Sequence, residues 1–267
     1  MQSLEKGLAC EIVGTDEVAT LAEDVNSLYD KLLTSIEELK SENERTVARE
    51  REKSDFLRMT SHELKTPIAS MLGLVEGMIY NVGDFKDHDT YLKKCRSILQ
   101  EQSHLVQSIL EATNLDMALE DSKENFFLDR LLEESLTSYQ SLAQVKGFDF
   151  QVQLGPTQLV GNQVYLLKAI KNILDNAFRY SRPGATIRMV CQEDSLLVDN
   201  QVERLLEPEE LKRIFQPLYR PDYSRNRKDG GTGIGLFLVQ QILDKHQFSY
   251  AFYPLDKDTM RFIIHFY

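Results

Sequence analysis

The chain has 267 residues, 42% of them hydrophobic, which is enough for two compact domains with cores of their own. Its 31 Lys and Arg stand against 42 Asp and Glu, a formal net charge of -11, so attraction to nucleic-acid phosphates is excluded as a basis for function. No run reaches the roughly 18 to 20 apolar residues that cross a bilayer, and the N-terminus lacks a signal-peptide layout, so a soluble chain is expected. The three cysteines, Cys10, Cys95 and Cys191, have no metal-ligand spacing and read as reduced thiols.

Apolar positions recur at helical spacing from residue 16: Leu21, Val25, Leu28, Leu32, Ile36, Leu39 and Val47. Successive steps of four from Leu28 through Leu32 to Ile36 break a strict heptad, as a stutter in a coiled coil does. A cleaner seam follows at Leu57, Ser61, Leu64, Ile68, Met71, Val75, Met78 and Val82, in alternating steps of four and three. Asn81, Gly83 and Asp84 make a turn, and a second seam runs through Leu92, Cys95, Leu99, Gln102, Val106, Ile109 and Thr113. Two such helices form a hairpin. A lone hairpin cannot bury both faces, so a dimeric four-helix bundle is predicted.

The texture turns to mixed elements from about Phe126. Strands are predicted at 148–154, 186–190, 195–199, 248–253 and 260–267, with helices at Asn162 to Tyr180 and Gly233 to His246. The expected organisation is a signalling helix over 1–40, a helical hairpin over 41–122 and an α/β sandwich over 123–267.

Three places carry chemistry. If Ser61 is heptad position a, then His62, Glu63 and Thr66 fall at b, c and f, on the solvent face. Histidine, with an ordinary pKa near about 6.5, keeps a neutral nucleophilic ring at pH 7. On the helix 162–180, Lys168, Asn172, Asn176 and Arg179 form a polar stripe opposite Leu167, Ile170, Leu174, Ala177 and Phe178. The segment GGTGIGLFLVQQIL (Gly230 to Leu243) is a glycine-rich turn opening a helix, a place where backbone can approach phosphate. Arg220, Arg225, Arg227 and Lys228 form a basic island beside it, expected to be a mobile lid over the phosphates. His88, His104, His246 and His265 have no metal-ligand partner at suitable spacing.

These segments resemble the sensor histidine kinases. FLRMTSHELKTPIAS (Phe56 to Ser70) is similar to their phosphoacceptor box, KNILDNAFRYS (Lys171 to Ser181) to the N-box of GHKL-type ATPases, and IFQPLYR (Ile214 to Arg220) to the F-box. DEVATLAEDVNSLYDKL (Asp16 to Leu32) resembles the second helix of a HAMP domain, which implies a membrane segment upstream. A narrower similarity, to the vancomycin-resistance VanS and VncS group, rests on YNVGDFKDHDTYL (Tyr80 to Leu92) and PLYRPDYSRNRKDGGTGIG (Pro217 to Gly235).

The resemblance implies a Bergerat-type ATP-binding α/β domain behind the hairpin, ATP-dependent phosphorylation of His62, and transfer to a response-regulator aspartate. Glu63 would act as base, and Thr66 would position water for dephosphorylation of the regulator. Asn176 would coordinate Mg²⁺. Asn172, Arg179, Tyr180, Arg220, Gly231, Thr232, Gly233 and Gly235 would approach the nucleotide. Asp199 would recognise adenine, although DNQVER (Asp199 to Arg204) has Gln201 and Glu203 where the family pattern has glycines. The implied partners are the cognate regulator and a second copy of the chain, and the implied setting is the cytoplasmic part of a bacterial plasma-membrane receptor. Two other readings remain: an ATPase clamp of the gyrase and chaperone kind, and a pseudokinase scaffold.

Overall fold

The computed structural model describes residues 17–119, 123–192, 194–221 and 231–266. Two compact units emerge, Met1–Met59 and Thr60–Tyr267. The first contributes the N-terminal part of helix α1 (Glu17–Ile79). There Leu21, Leu28, Leu32 and Leu39 all lie bare, as a helix that needs a partner would leave them. Residues 1–16, which include the first residue of the HAMP-like stretch Asp16 to Leu32, lie outside the described residues. No helix among the described residues is long and apolar enough to cross a membrane.

In the second unit, α1 continues through Pro67 to Ile79. Proline has no N–H for the carbonyl four residues back, so the helix loses one bond at Glu63, directly beside His62. Asn81 and Gly83, at φ of 51° and 52°, reverse the chain into a 3-10 turn over Gly83–Lys86, and α2 (His88–Leu119) returns. The Phe85 ring fills the space over Gly77, where a Cβ would come within 2.6 Å of it. The two predicted seams are only half buried. Of their residues Met78 and Cys95 are covered, while Ile68, Val75, Val82, Leu92, Leu99 and Val106 stay exposed; Leu105, beside the second seam, is buried instead of Val106. A two-helix hairpin has room to cover one stripe per helix, and the remaining apolar stripe faces out.

Beyond the hairpin, β1 (Glu124–Phe127) pairs antiparallel with β3 (Gln158–Gly161). The main sheet has the order β2-β4-β5-β7-β6, built from β2 (Asp149–Leu154), β4 (Thr186–Gln192), β5 (Ser195–Gln201), β6 (Ser249–Pro254) and β7 (Thr259–His265). Only β2 and β4 run parallel. Helices α3 (Leu128–Lys146), α4 (Gln163–Tyr180) and α6 (Gly235–His246) contribute to its core, and the short α5 (Pro208–Leu211) follows β5. Leu132, Leu174, Leu238 and Ile242 join Ile187, Met189, Leu196 and Phe262 in one cluster. Each such side chain contributes about 1.5–3 kcal/mol by leaving water.

The predicted strands and both predicted helices of this half are present. Helix α3 and the β1–β3 ribbon were not anticipated. Leu128, Leu132, Leu136, Tyr139 and Ala143 carried a helical signal for α3 at steps of three and four, and all five are buried.

Candidate functional site

The first turns of α1 within the second unit set out His62, Glu63 and Thr66 on solvent-facing positions, as their heptad placement requires. The Thr66 hydroxyl lies 3.4 Å from the His62 carbonyl, one turn back, and Ser70 repeats the pattern on Thr66 at 3.2 Å. Both hydroxyls are thus turned back onto the carbonyls of their own helix.

Helix α4 begins at Asn162, whose side chain accepts the Tyr165 N–H at 3.2 Å. Its apolar stripe is buried in the core, which turns the opposite stripe outward. Along that stripe the Lys168 ammonium pairs with Glu111 of α2, so the lysine ties the hairpin to this helix. The Asn172 amide donates to the Lys168 carbonyl at 3.1 Å, which leaves Asn172 Oδ1 directed toward Gly235. Beside Asn176, Asp175 accepts the buried Tyr139 hydroxyl at 2.7 Å. Burial, and then Asp175 itself, push the ionisation of Tyr139 well above the ordinary range, so it stays a donor.

The glycine turn sits over this stripe with little room to spare. A Cβ at Gly231 would fall onto the Arg179 guanidinium, and one at Gly235 would come 3.1 Å from Asn172 Oδ1. Gly233 has φ of +74°, and its missing Cβ faces the Leu218 backbone at 2.8 Å. Leu218 itself takes a φ of 63° and donates its N–H to the Gly233 carbonyl at 3.0 Å. The turn thus presents bare backbone to the space in front of α6. Residues 222–230, which hold Arg225, Arg227 and Lys228, lie outside the described residues.

All of these groups open onto one cleft of about 1030 Å³. His62, Glu63 and Thr66 line it from α1; Asn172, Asn176, Arg179 and Tyr180 from α4; and Arg220, Gly231, Thr232, Gly233 and Gly235 from the turn. Its far end is apolar, walled by Val202, Leu206, Ile214, Phe252 and Met260. Among the described residues no group of three or more His, Cys, Asp or Glu is placed to hold a metal ion. An ion here would take oxygen from an asparagine amide and from a ligand's phosphates.

Two family models match the chain. The His Kinase A phospho-acceptor domain covers residues 52–118, and the histidine kinase-, DNA gyrase B- and HSP90-like ATPase covers 161–266. The chain belongs to the sensor histidine kinases. Among its histidine-kinase relatives, HK06 of Streptococcus pneumoniae is 32% identical over 96% of this chain and 57% of that protein. The sensor protein VanSB of Enterococcus faecalis is 33% identical over 88% of this chain and 54% of that one. The chain thus spans about half the length of the curated relatives it matches. Two solved histidine kinases share the fold. The Acinetobacter baumannii kinase AdeS has a TM-score of 0.59 at 20% identity, over 76% of this chain and 96% of that one. ThkA, solved in complex with the response regulator protein TrrA, has a TM-score of 0.59 at 15% identity, over 79% of this chain and 60% of that one.

Against the histidine-kinase pattern one expected site residue is placed elsewhere. Asp199 is not in the cleft. It forms a two-pronged ion pair with Arg261 of β7, at 2.6 Å and 2.7 Å, on the opposite face of the sheet. Alternation along β5 is the reason: Leu196, Val198 and Asn200 turn to the helix layer and the cleft, so Asp199 between them must turn away. Sequence reasoning missed Asn200, although the apolar Leu196 and Val198, four and two residues earlier, marked its face. Gln201, at one of the two glycine positions of the pattern, also points outward and accepts the Thr186 N–H at 3.0 Å, a bond no glycine could make.

Proposed function

We propose that this chain is the catalytic part of a sensor histidine kinase that phosphorylates His62 from ATP and passes the phosphoryl group to a response regulator. One observation carries the reading: the candidate acceptor histidine and the glycine turn that would cradle phosphate line the same cleft. The fit to ATP is supported by the bare backbone of Gly231, Gly233 and Gly235, by Arg179 against that backbone, and by the apolar far end. Asn176 would offer its amide oxygen to Mg²⁺, which when bound neutralises charge between the phosphates.

In this reading Glu63 takes the Nδ1 proton of His62, and the Nε2 lone pair attacks the γ-phosphorus in line. The new N–P bond forms as the bond to the bridging oxygen breaks and ADP leaves. Arg179 and Arg220 screen the charge on the leaving side. The phosphoryl group then moves from His62 to a carboxylate of the regulator, and the solvent-facing placement of His62 leaves room for that partner. Thr66, one turn beyond His62, orients the water that removes phosphate from the regulator. The exposed apolar stripe on α1 and α2 supports a homodimer through the hairpin. The membrane-receptor setting is the reading that the HAMP-like stretch Asp16 to Leu32 and relatives named as sensors support.

Incubation with γ-labelled ATP and Mg²⁺ tests this. Acid-labile, alkali-stable label should appear on the protein and be lost in His62→Gln. Thr66→Ala should keep that label while slowing regulator dephosphorylation by about tenfold or more. ATP hydrolysis without label would point to a clamp ATPase, and binding without either to a scaffold. Equal loss of both activities in Thr66→Ala would remove its proposed role.

A further inference from the structure

Where α2 runs against α6, Ala112 is the one hairpin side chain packed on the core cluster among the described residues. Hydrocarbon contact is non-directional, and a single methyl group joins two elements without fixing the angle between them. Next to it in sequence, Glu111 reaches across to α4 and forms an ion pair with Lys168. Glu111 Oε1 also accepts the Gln107 amide, one turn earlier on α2, at 2.9 Å, which steadies the carboxylate. The Lys168 and Glu111 side chains are 32% and 21% exposed, so the pair is less screened than one on an open surface. Both line the cleft that His62 and the glycine turn also line. Lys168 stands one turn before Asn172, whose amide donates to the Lys168 carbonyl, and two turns before Asn176. The pair therefore bridges the element that carries the acceptor histidine and the helix that carries the polar stripe.

We infer that Lys168 and Glu111 are positioning residues for phosphoryl transfer, their ion pair seating the hairpin on α4 so that His62 stays in line with phosphate bound in front of α6. The inference rests on the phosphotransfer reading of the cleft and names what sets its geometry. In-line attack tolerates little error, and a misplacement of about 1 Å can cost on the order of a hundredfold in rate. Acceptor and nucleotide are held by different elements, so the joint between those elements decides their separation. A carboxylate at this place is otherwise unfavourable. By charge alone Glu111 repels a triphosphate entering the same cleft, so its removal would tighten ATP binding. A loss of transfer rate on removing Glu111 has the opposite sign and points to the joint. Each of the two residues acts through the other, and neither needs to touch the reacting atoms.

Labelling of the whole chain with γ-labelled ATP and Mg²⁺ over a range of ATP concentrations separates rate from affinity. Glu111→Ala and Lys168→Met should each lower the saturating rate at which label enters His62 by about tenfold or more. Half-saturation by ATP in Glu111→Ala should stay within about twofold of the wild type or fall below it. The double variant should be no slower than the slower single one, as for two residues that act as a unit. Glu111→Lys combined with Lys168→Glu, which reverses the pair, should recover most of the rate that either reversal alone loses. A Glu111→Ala protein with a normal melting transition and a rate equal to or above the wild type would overturn the inference, as would a reversed pair slower than both of its single reversals. Should Glu111→Ala not fold, the reversed pair and its two single reversals decide by themselves. A wild type that takes label while these variants match it defeats the positioning role alone. One that takes no label at His62 defeats the phosphotransfer reading and this inference with it.

Discussion

His246 shows how one side chain can tie two functional helices. It closes α6, is buried, and uses both ring nitrogens: Nδ1–H donates to the Ile242 carbonyl at 2.7 Å, and Nε2 accepts the Asn162 N–H at 3.1 Å. Asn162 is the cap of α4, so the end of the helix behind the glycine turn holds the start of the helix that carries Asn172 and Asn176. Burial is the main cause that draws the His246 pKa below its ordinary value of 6.5. The unfolded chain therefore binds this proton at a higher pH than the folded one. Stability from the pair is fully present above the ordinary value and falls as pH drops through it toward the lower folded value. Melting temperature should decline between pH 7.5 and pH 5.5, and the decline should be shallower in His246→Phe, which removes the Nε2 acceptor of the Asn162 N–H and is less stable at neutral pH by about 1–3 kcal/mol. Identical slopes for the two proteins would show that His246 has no part in the pH response.

At the scale of elements, the turn before α6 depends on two residues that face each other in left-handed backbone. Gly233 occupies that region without cost, whereas Leu218 tolerates it because its N–H is anchored to the Gly233 carbonyl. A methyl group at position 233 would meet the Leu218 backbone, which cannot give way as a side-chain end can. Gly233→Ala should therefore displace the turn, weakening nucleotide binding by about tenfold or more while α4 and the sheet stay folded. Titration calorimetry beside a thermal melt checks this, and unaltered affinity would mean that the turn does not shape the cleft. The ion pair of Lys168 with Glu111 and the Tyr139–Asp175 bond act at the same scale, each joining α4 to a different neighbour.

On the scale of the whole molecule, the bare apolar stripe of the hairpin is a feature that a single chain leaves unexplained. Ile68, Leu72 and Ile79 of α1 and Leu99 and Leu110 of α2 are each more than half exposed. Covering them with a second hairpin would remove the cost of that exposure, at about 25 cal/mol for each Å² of apolar surface. A charge placed within the covered stripe would have to be desolvated. Leu72→Asp combined with Leu99→Asp should shift the protein from dimer to monomer in sedimentation equilibrium and leave the isolated melt of the α/β domain unchanged. A dimer of undiminished affinity would place the interface elsewhere.

Much of the architecture was legible from local pattern. Period-two runs located the five strands of the main sheet, and the polar and apolar stripes of 162–180 told which side of α4 would be buried. Placing Ser61 at a heptad seam put His62 on the outside. Such patterns report the face of an element, and they do so because burial acts on each side chain through its own helix or strand. They do not name the neighbour across the gap. Asp199 and Asn200 are adjacent in sequence and both polar; alternation sends them to opposite faces, but that one face meets the cleft and the other meets Arg261 is decided by the layers packed on β5. The opening of His62 and the glycine turn onto one cleft, the pairing of His246 with Asn162, and the hydrogen bond of Asn200 to Ser181 likewise join distant segments. Tertiary packing decided them, because each depends on which surfaces come together and not on what either segment prefers alone.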